Sequence, residues 1–486
     1  MRRTILALGA VLACVTPGLA QNYAGWALND AQADPYVLLG SSIQSEASFG
    51  LFLDSFDYAA QRPADLALIT GDESTRHLNR PATREGDAHI LYTNLSNIGT
   101  SNTFQAGSVF RAGPGNLVIA AGFSQFDQKT TTDSFGSTFS SRNVSKSDNE
   151  WTQVAIGYGW SIGDKGHLGF LYNYADLSQP DSSVSQQFAP SSSTFSTLDD
   201  YQITDHDFRF GWRGDPSDGF TYSVGAHAMI RDITDLSRIN ESDGTVNSEG
   251  LEMSGTLWGI DGRFTWYHDD YDVELFADYS TGSYDLDNNV LQNDPGDWFG
   301  FSYDYAVDDQ FDADMTTIGM RYLRRLGQAD LGVGVSLQDA SYDFFLAYDS
   351  ADPGPPPGTP NTRTETWRKQ DWFATMIPIS ARYHFTDKLS VTAGAEFALV
   401  QSEVENRDRY TPTADPGLQS EFRTKTEDDT TFTDYRVGLR YELNEHVTGQ
   451  LMFGRTTSYF FDSVGGFGST DLIDTTKAAV SVTVQW

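Results

Sequence analysis

The chain has 486 residues and a formal net charge of −35, with 67 Asp and Glu against 32 Lys and Arg. This acidity excludes binding to a phosphate backbone, and a mean hydropathy of −0.41 excludes a bundle of transmembrane helices. The 44 Gly, 31 Phe, 23 Tyr and 10 Trp residues instead favour strands with one apolar and one polar face.

Residues 1–20 have the pattern of a secretory signal peptide. The basic MRRT precedes the apolar ILALGAVLACV, and Gly18 and Ala20 are the small residues expected before a cleavage site near Ala20. The alternative is a lipoprotein signal in which Cys14 is lipidated. Cys14 is the single cysteine of the chain, so we expect a mature protein without a disulfide or a cysteine-ligated metal.

Residues 21–86 form a polar N-terminal segment in which apolar and polar residues alternate poorly. The stretch ESTRHLNRPATREGD concentrates Arg76, His77, Arg80 and Arg84 within an acidic chain. Two interpretations stay open for this segment: a plug that fills the interior of the structure that follows, or a solvated periplasmic extension.

From about residue 87 onwards the chain alternates as a β-strand does. In the last segment, Ala478, Val480, Val482, Val484 and Trp486 fall on one face, and polar or small residues fall on the other. A lipid-facing and a water-facing side would explain this pattern. The same pattern recurs in the groups Val154 to Trp160, Leu168 to Tyr174, Phe208 to Trp212, Trp258 to Trp266, Val273 to Tyr279, Ile318 to Tyr322 and Tyr435 to Tyr441.

The connections between these strands differ in length, which gives the structure an orientation. Short turns rich in Gly, Asp, Asn and Pro occur at RAGPGN, SIGDKGH, RGDPSDG, YHDDY, RLGQAD, FTDKL and ELNEHV. Longer polar stretches lie near 128–148, 178–200, 234–250, 282–312, 348–368 and 402–430. The sequence therefore predicts an all-β fold: a transmembrane antiparallel β-barrel over residues 87–486, with about 16 strands or alternatively about 14, short periplasmic turns and long extracellular loops.

Strands that run toward a short turn end on an aromatic residue. Rings of this kind at a shared depth form the interfacial belt of a membrane protein. The predicted periplasmic girdle comprises Trp160, Trp212, Trp266, Tyr322, Phe385, Tyr441 and Trp486.

The signal peptide, the alternating aromatic-rich strands and the final strand ending at Trp486 resemble the outer-membrane β-barrel proteins of Gram-negative bacteria, including the porins. The resemblance covers residues 87–486. It implies integration into outer-membrane lipid and recognition of the last strand by the barrel-insertion machinery. It assigns no porin family, and the asparagine-proline-alanine signature of long-chain fatty-acid channels is absent.

Counting inward from the lipid-facing residues places a mixed set of charges in the lumen. In the hairpin around residues 268–270, we expect Arg263 and Glu274 to lie directly opposite one another. Such rows can select ions or polar solutes, or they can brace a water-filled wall without a transport role. The candidate lumen residues are Arg209, Arg263, Arg321, Arg382, Arg436, Arg440, Asp207, Asp261, Glu274, Asp278, Glu396 and Asp434.

These observations lead to one predicted function and two alternatives. The charged, glycine-rich inward face favours an outer-membrane channel for passive diffusion of ions or small polar solutes. The first alternative is a plugged, ligand-specific transporter, which is suited to a hydrophobic substrate if Phe276, Met376 and Met452 line a pocket. The second is a structural barrel that binds partners through its outer loops.

We do not expect an enzyme, a cofactor or a metal centre. His206, between Asp205 and Asp207, is the one acid–histidine cluster on an upper strand half. Asp285, Asp287 and Asn289 begin like a calcium loop, but Val290 occupies the position where that loop needs glycine. Loose binding of divalent cations by acidic outer loops stays open, and the sequence does not indicate an oligomeric state.

Overall fold

The computed structural model describes residues 47–53, 62–69, 89–98, 101–135, 140–163, 165–187, 193–217, 219–240, 246–287, 291–292, 302–304, 310–351, 362–412, 417, 419–444, 446–462 and 469–485. The predicted signal peptide, the cluster Arg76, His77, Arg80 and Arg84, and Trp486 lie outside these ranges.

The described residues form one antiparallel sheet and one short 3-10 helix, Pro63–Leu68. The strands are β1 His89–Ile98, β2 Ser101–Ala112, β3 Gly115–Phe135, β4 Ser140–Ile162, β5 Gly166–Gln187, β6 Ser193–Ser217, β7 Phe220–Asn240, β8 Val246–Tyr267, β9 Tyr271–Asp287, β10 Leu291–Gln292, β11 Ser302–Asp304, β12 Gln310–Leu326, β13 Ala329–Ala351, β14 Thr362–His384, β15 Leu389–Pro412, β16 Ser420–Asn444, β17 Val447–Asp462 and β18 Ser469–Gln485.

The sheet closes on itself. β1 pairs with β2 on one side and with β18 on the other, and β9 pairs directly with β12. The short β10 and β11 attach to β8 and β13, so the 18-stranded sheet contains a closed ring of 16 longer strands among the described residues. The predicted transmembrane antiparallel β-barrel is confirmed.

All the predicted short turns lie at one rim, which we call the short-turn rim. Gly113, Gly163 and Gly327 adopt positive φ there, a conformation that glycine adopts without steric cost. At the opposite rim the strands continue into stretches assigned above to loops. For example, Asp133 pairs with Arg142 inside the predicted loop 128–148. Alternating apolar residues mark only the membrane-facing part of a strand, so polar extensions above the membrane escape the pattern.

Each strand presents one exposed apolar face and one largely buried polar face. Because the exposed face repeats around the whole ring, it is the outward, lipid-facing side. Among the described residues, no helix is long and apolar enough to cross a membrane. The exposed apolar side chains include Ile156, Phe170, Phe210, Val224, Trp258, Ile260, Phe264, Ile318, Met320, Ile379, Phe397, Tyr435, Val437, Phe453 and Val480.

The predicted register of the β8–β9 hairpin was wrong by two residues. Glu274 pairs with Thr265, and Arg263 pairs with Phe276. The turn is longer than assumed because His268 and Tyr271 close it, with rings stacked at 4.6 Å and the His268 amide donating to the Tyr271 carbonyl at 2.8 Å.

Candidate functional site

The barrel lumen contains two stretches of the N-terminal segment, residues 47–53 and 62–69, which we call the lumen segments. The 3-10 helix of the second segment lies against β3, β4, β5 and β6. The Asn116 side-chain amide of β3 donates to the carbonyls of Leu66 and Ile69 at 2.9 and 2.7 Å. The wall thereby supplies a donor to the Ile69 carbonyl at the end of the 3-10 helix, and a second donor to the Leu66 carbonyl, which also accepts from the Ile69 amide at 3.4 Å.

Glycines in the wall allow this close approach. A Cβ atom at Gly169 would overlap the Pro63 carbonyl, and a Cβ at Gly159 would overlap the Ala67 amide nitrogen. At Gly157 it would lie 2.8 Å from the Leu66 side chain. Glycine at these inward positions lets two backbones pack together where larger residues would hold them apart.

The other lumen segment packs against the opposite wall. Leu51 and Phe52 form an apolar cluster with Leu323 of β12, and Ala47 clusters with Met452 and Ala479 of β17 and β18. The guanidinium of Arg382 lies 4.6 Å from the Phe52 ring centre. Similarly, Arg436 lies 4.5 Å from the ring of Phe49. Cation–π contacts of this kind contribute more when both partners are desolvated.

Two buried ion pairs of opposite polarity join the second lumen segment to the wall. Arg62 binds Glu274, which also lies 3.3 Å from Arg321 and 3.7 Å from Arg263. Arg213 donates to Asp65 at 2.9 Å. Arg62, Asp65, Arg213 and Glu274 are all at most 4% exposed. Removing one partner from such a buried pair is costly, because the other charge is left without compensation.

The contacts of both lumen segments lie in the half of the barrel next to the short-turn rim. The wall residues in these contacts lie within about nine residues of a short turn or of the end of β18, which is roughly 30 Å along a strand. Of the N-terminal segment 21–86, for which a plug and a periplasmic extension were both open, the structure describes only these two stretches. That the whole segment forms a plug remains a prediction.

The predicted lumen residues all lie on the inward faces of their strands. Many are engaged with one another or with the lumen segments, and their role in selecting solutes remains a prediction. Arg209 binds Asp207 at 2.7 Å, Arg382 binds Asp330 at 2.8 Å, and Arg440 lies 3.6 Å from Glu442. By contrast, Asp261 and Asp278, and Glu396 and Asp434, are like charges directly opposite one another on neighbouring strands.

Sequence reasoning missed several inward residues. Arg231 and Asp205 form a doubly hydrogen-bonded pair, with N···O distances of 2.7 and 2.9 Å, and neither residue is exposed. The same alternation rule would have placed them inside. Arg62 and Asp65, by contrast, carry no local sequence signal that relates them to Glu274 and Arg213.

An apolar layer also lines the lumen, farther from the short-turn rim than the lumen segments. On one wall Trp151, Leu177, Ile203 and Ile233 are direct partners across β4, β5, β6 and β7. On the other wall Met315, Ala340 and Trp372 are direct partners across β12, β13 and β14. All seven are buried and lie about 12 residues, or roughly 40 Å along a strand, from the short turns.

Of the apolar residues expected in a ligand pocket, Met376 and Met452 are buried on the inward face. Phe276 instead lies beneath two guanidiniums, 5.0 Å from Arg321 and 5.6 Å from Arg263. Phe276 therefore belongs to the charged cluster around Glu274 and not to the apolar layer.

The acid–histidine cluster at His206 does not assemble. Because side chains alternate across a strand, Asp205 and Asp207 point inward and are buried, whereas His206 points outward with Phe208. Its Nδ1 lies 2.8 Å from the Tyr172 hydroxyl, and its ring packs on Tyr174 at 5.4 Å.

Four of the predicted girdle residues, Trp160, Trp266, Tyr322 and Phe385, stand beside the short-turn rim and contact further rings there. Their role as an interfacial belt stays a prediction, as does that of Trp486. The ring contacts are Trp160–Tyr158 at 5.6 Å, Trp266–Phe220 at 5.4 Å, Tyr322–Tyr271 at 5.9 Å and Phe385–Tyr383 at 4.8 Å.

Comparison with known proteins gives matches of fold among solved structures. No protein-family model and no curated protein matches the chain. The toluene transporter TodX of P. putida is 11% identical over 92% of this chain and 99% of its own, with a TM-score of 0.41. The toluene transporter TbuX of Ralstonia pickettii is 12% identical over 93% and 99%, with a TM-score of 0.40. A Pseudomonas aeruginosa FadL homologue is 10% identical over 92% and 98%, with a TM-score of 0.42.

Proposed function

We propose that this protein is an outer-membrane transporter for a small apolar or amphipathic molecule, and that the lumen segments close it on the periplasmic side. The observation that carries the proposal is the layer formed by Trp151, Leu177, Ile203, Met315 and Trp372, which is buried inside the barrel on the outer side of the lumen segments. Buried apolar side chains in a lumen favour an apolar occupant, because each removes apolar surface of the ligand from water.

The polar groups beneath this layer make an amphipathic ligand equally suitable. The buried Arg231–Asp205 pair lies one inward position closer to the short-turn rim than Ile203 and Ile233. A ligand with an apolar body in the layer would have its polar end at the level of this pair. Polar groups of this kind fix the orientation of a ligand in a mostly apolar site.

A passive channel for ions, the function predicted first from the charged lumen, receives less support. The inward arginines that suggested it are already engaged: Arg321 and Arg263 with Glu274, and Arg382 and Arg436 with the rings of the first lumen segment. A lumen that is closed by packed chain conducts only when that chain moves. We therefore place the regulation of transport at the contacts of the lumen segments.

The test combines Arg62→Ala with Asp65→Ala and records conductance in planar bilayers. These changes remove the charges of Arg62 and Asp65 from the second lumen segment. Glu274 still pairs with Arg321 and Arg263, and Arg213 still pairs with Asp215. No wall charge of these pairs is therefore left without an opposite charge. We expect a quiet wild-type barrel and frequent openings in the double variant. Lys165→Gln, an exposed change at the same rim, is the matched control and should remain quiet.

Ligand class is tested with the same protein by quenching of tryptophan fluorescence with a short brominated alkane. Trp151→Phe and Trp372→Phe should each remove part of the quenching that the alkane causes at low concentration. A steady current through the wild type that Arg62→Ala with Asp65→Ala does not change, together with no saturable quenching, would overturn the proposal in favour of an open diffusion channel.

A further inference from the structure

On the outward face of β14, β15 and β16, apolar residues give way to charged ones toward the rim opposite the short turns. We call the apolar part of this face the apolar belt. On β14 the outward apolar run extends from Tyr383 to Phe373, about 10 residues, which covers roughly 26 Å of membrane at 3.4 Å per residue and a tilt of about 40°. The outward positions beyond Phe373 are charged or aromatic. We call the following set the outer ladder: Glu365, Trp367, Lys369, Asp371, Glu403, Glu405, Arg407, Arg409, Glu421, Arg423, Lys425 and Glu427.

The register across these strands has no bulge, so the outer ladder lies on the lipid-facing side throughout. Trp367 pairs with Arg407, and Arg407 pairs in turn with Arg423. Along β14, Trp367 lies about six residues beyond Phe373, or roughly 15 Å above the apolar belt. The outer ladder projects from the barrel wall at the level of the lipid headgroups and beyond.

Three guanidiniums gather at one level of the outer ladder. Arg407 and Arg409 lie 4.9 and 4.8 Å from the ring centre of Trp367, and Arg423 is the direct cross-strand partner of Arg407. Like charges directly opposite each other destabilise a β pair. Each of the two also has a carboxylate partner, Glu421 for Arg407 and Glu405 for Arg423. A polyvalent anion between the two guanidiniums would offset the repulsion that these carboxylates leave.

Neighbouring carboxylates hold the guanidiniums in place and leave donors available. Arg407 uses Nε and Nη2 on Glu421, at 2.8 and 2.9 Å, and Arg409 uses Nη1 on Glu365 at 3.1 Å. The hydrogen bonds from Arg407 lower the pKa of the exposed Glu421 carboxyl below its ordinary value. An arginine fixed by one partner loses less conformational entropy when it binds a second.

A cavity of about 370 Å³ opens beside Arg407, on the side of β14 and β13. Its wall includes Phe345 and Trp367, whose ring centres are 5.2 Å apart. The charged residues of the wall are Arg368, Lys369, Arg407, Asp312, Asp343 and Glu405. Aromatic faces suit the apolar faces of sugar rings, and arginine forks suit phosphate. The combination matches a phosphorylated sugar better than a bare phosphate.

We propose that the outer ladder binds the phosphorylated sugar headgroup of a glycolipid in the outer leaflet, that is, lipopolysaccharide. The height of the site selects this occupant over a phospholipid. A phospholipid headgroup layer adds only about 5 to 8 Å to the hydrocarbon core, whereas Trp367 stands roughly 15 Å above the belt. A headgroup of several sugars reaches that height while its acyl chains contact the apolar belt below.

The first test measures how much lipopolysaccharide copurifies with the barrel extracted from outer membranes. Arg407→Gln with Arg423→Gln removes both opposed guanidiniums, and the bound amount should fall about tenfold or more. Trp367→Ala should act in the same direction. Glu403→Gln with Glu427→Gln is the matched control, because it removes two charges from the same strands lower in the outer ladder and leaves the guanidiniums intact.

The second test separates the lipid from a free anion and checks folding. Thermal unfolding of wild type and variants is compared in vesicles of phosphatidylglycerol, in the same vesicles with lipopolysaccharide, and with added inorganic phosphate. We expect stabilisation of wild type by lipopolysaccharide alone, lost in Arg407→Gln with Arg423→Gln, and equal unfolding of both proteins in phosphatidylglycerol. Equal lipopolysaccharide content and equal stabilisation in the arginine variant would overturn the proposal, as would full stabilisation by inorganic phosphate.

Discussion

At the level of single residues, the second lumen segment can pack closely against the barrel wall because several wall positions are glycines. Gly169 is the sharpest case, because a Cβ there would meet both the carbonyl carbon and the oxygen of Pro63. A backbone carbonyl within a 3-10 helix cannot rotate away as a side chain can. With the second lumen segment in place, position 169 therefore accommodates only glycine.

Gly169→Ala should displace the second lumen segment without damaging the barrel. Overpacking of this kind costs about 1 to 3 kcal/mol, and moving the segment is the way to relieve it. We expect openings in planar-bilayer recordings and an unchanged barrel by circular dichroism. Gly262→Ala is the control, since a Cβ there meets nothing within 4 Å. A silent Gly169→Ala barrel would contradict this account of the contact.

The sequence correctly predicted that Arg263 and Glu274 lie on the same face of the sheet, but it did not predict which residue each of them pairs with. Alternation placed Arg263 and Glu274 on one face, as observed. It could not specify their pairing, because two opposing residues in a hairpin depend on the length of the turn, and the stacked His268 and Tyr271 add two residues to it. The diagonal contact between Arg263 and Glu274 at 3.7 Å survives the shift.

At the scale of strands, the apolar layer lies where the sequence pattern ends. Trp151 and Leu177 border polar stretches that were assigned to outer loops, so their inward direction was not read from the sequence. The strands in fact continue through these stretches, and Trp151 pairs with Leu177 in unbroken register. Outward neighbours beyond the membrane are polar, which removes the alternation on which the prediction depended.

Leu177→Asn with Ile203→Asn should weaken binding of the brominated alkane and leave the closed state intact. Burying a Leu or Ile side chain against a ligand contributes about 1.5 to 3 kcal/mol, so affinity should fall at least tenfold in fluorescence quenching. Thr152→Asn, exposed on the other face of β4 beside Trp151, should bind as wild type does. Unchanged affinity in the double variant would place the ligand elsewhere.

Across the barrel as a whole, the ion pairs of the second lumen segment join residues that are far apart in sequence. Arg62 and Glu274 are separated by 212 residues, and Asp65 and Arg213 by 148. Local periodicity cannot report such pairs, whereas it does report the strands and turns that form the ring. This difference explains why the barrel could be predicted from one sequence and the contacts of its lumen segments could not.

Closure of the ring depends on the seam between β1 and β18, where Asn94 lies opposite Ser481. Asn94→Cys with Ser481→Cys should form a disulfide under mild oxidation, because directly opposed Cβ atoms lie within about 5.5 Å and a disulfide needs about 4 Å. The mature chain is expected to contain no competing cysteine. The unfolded, cross-linked chain should migrate faster in non-reducing gels. Asn94→Cys with Val480→Cys is the control, since Val480 projects from the other face of β18. Equal cross-linking of both pairs would contradict the register, and none in the first would contradict closure.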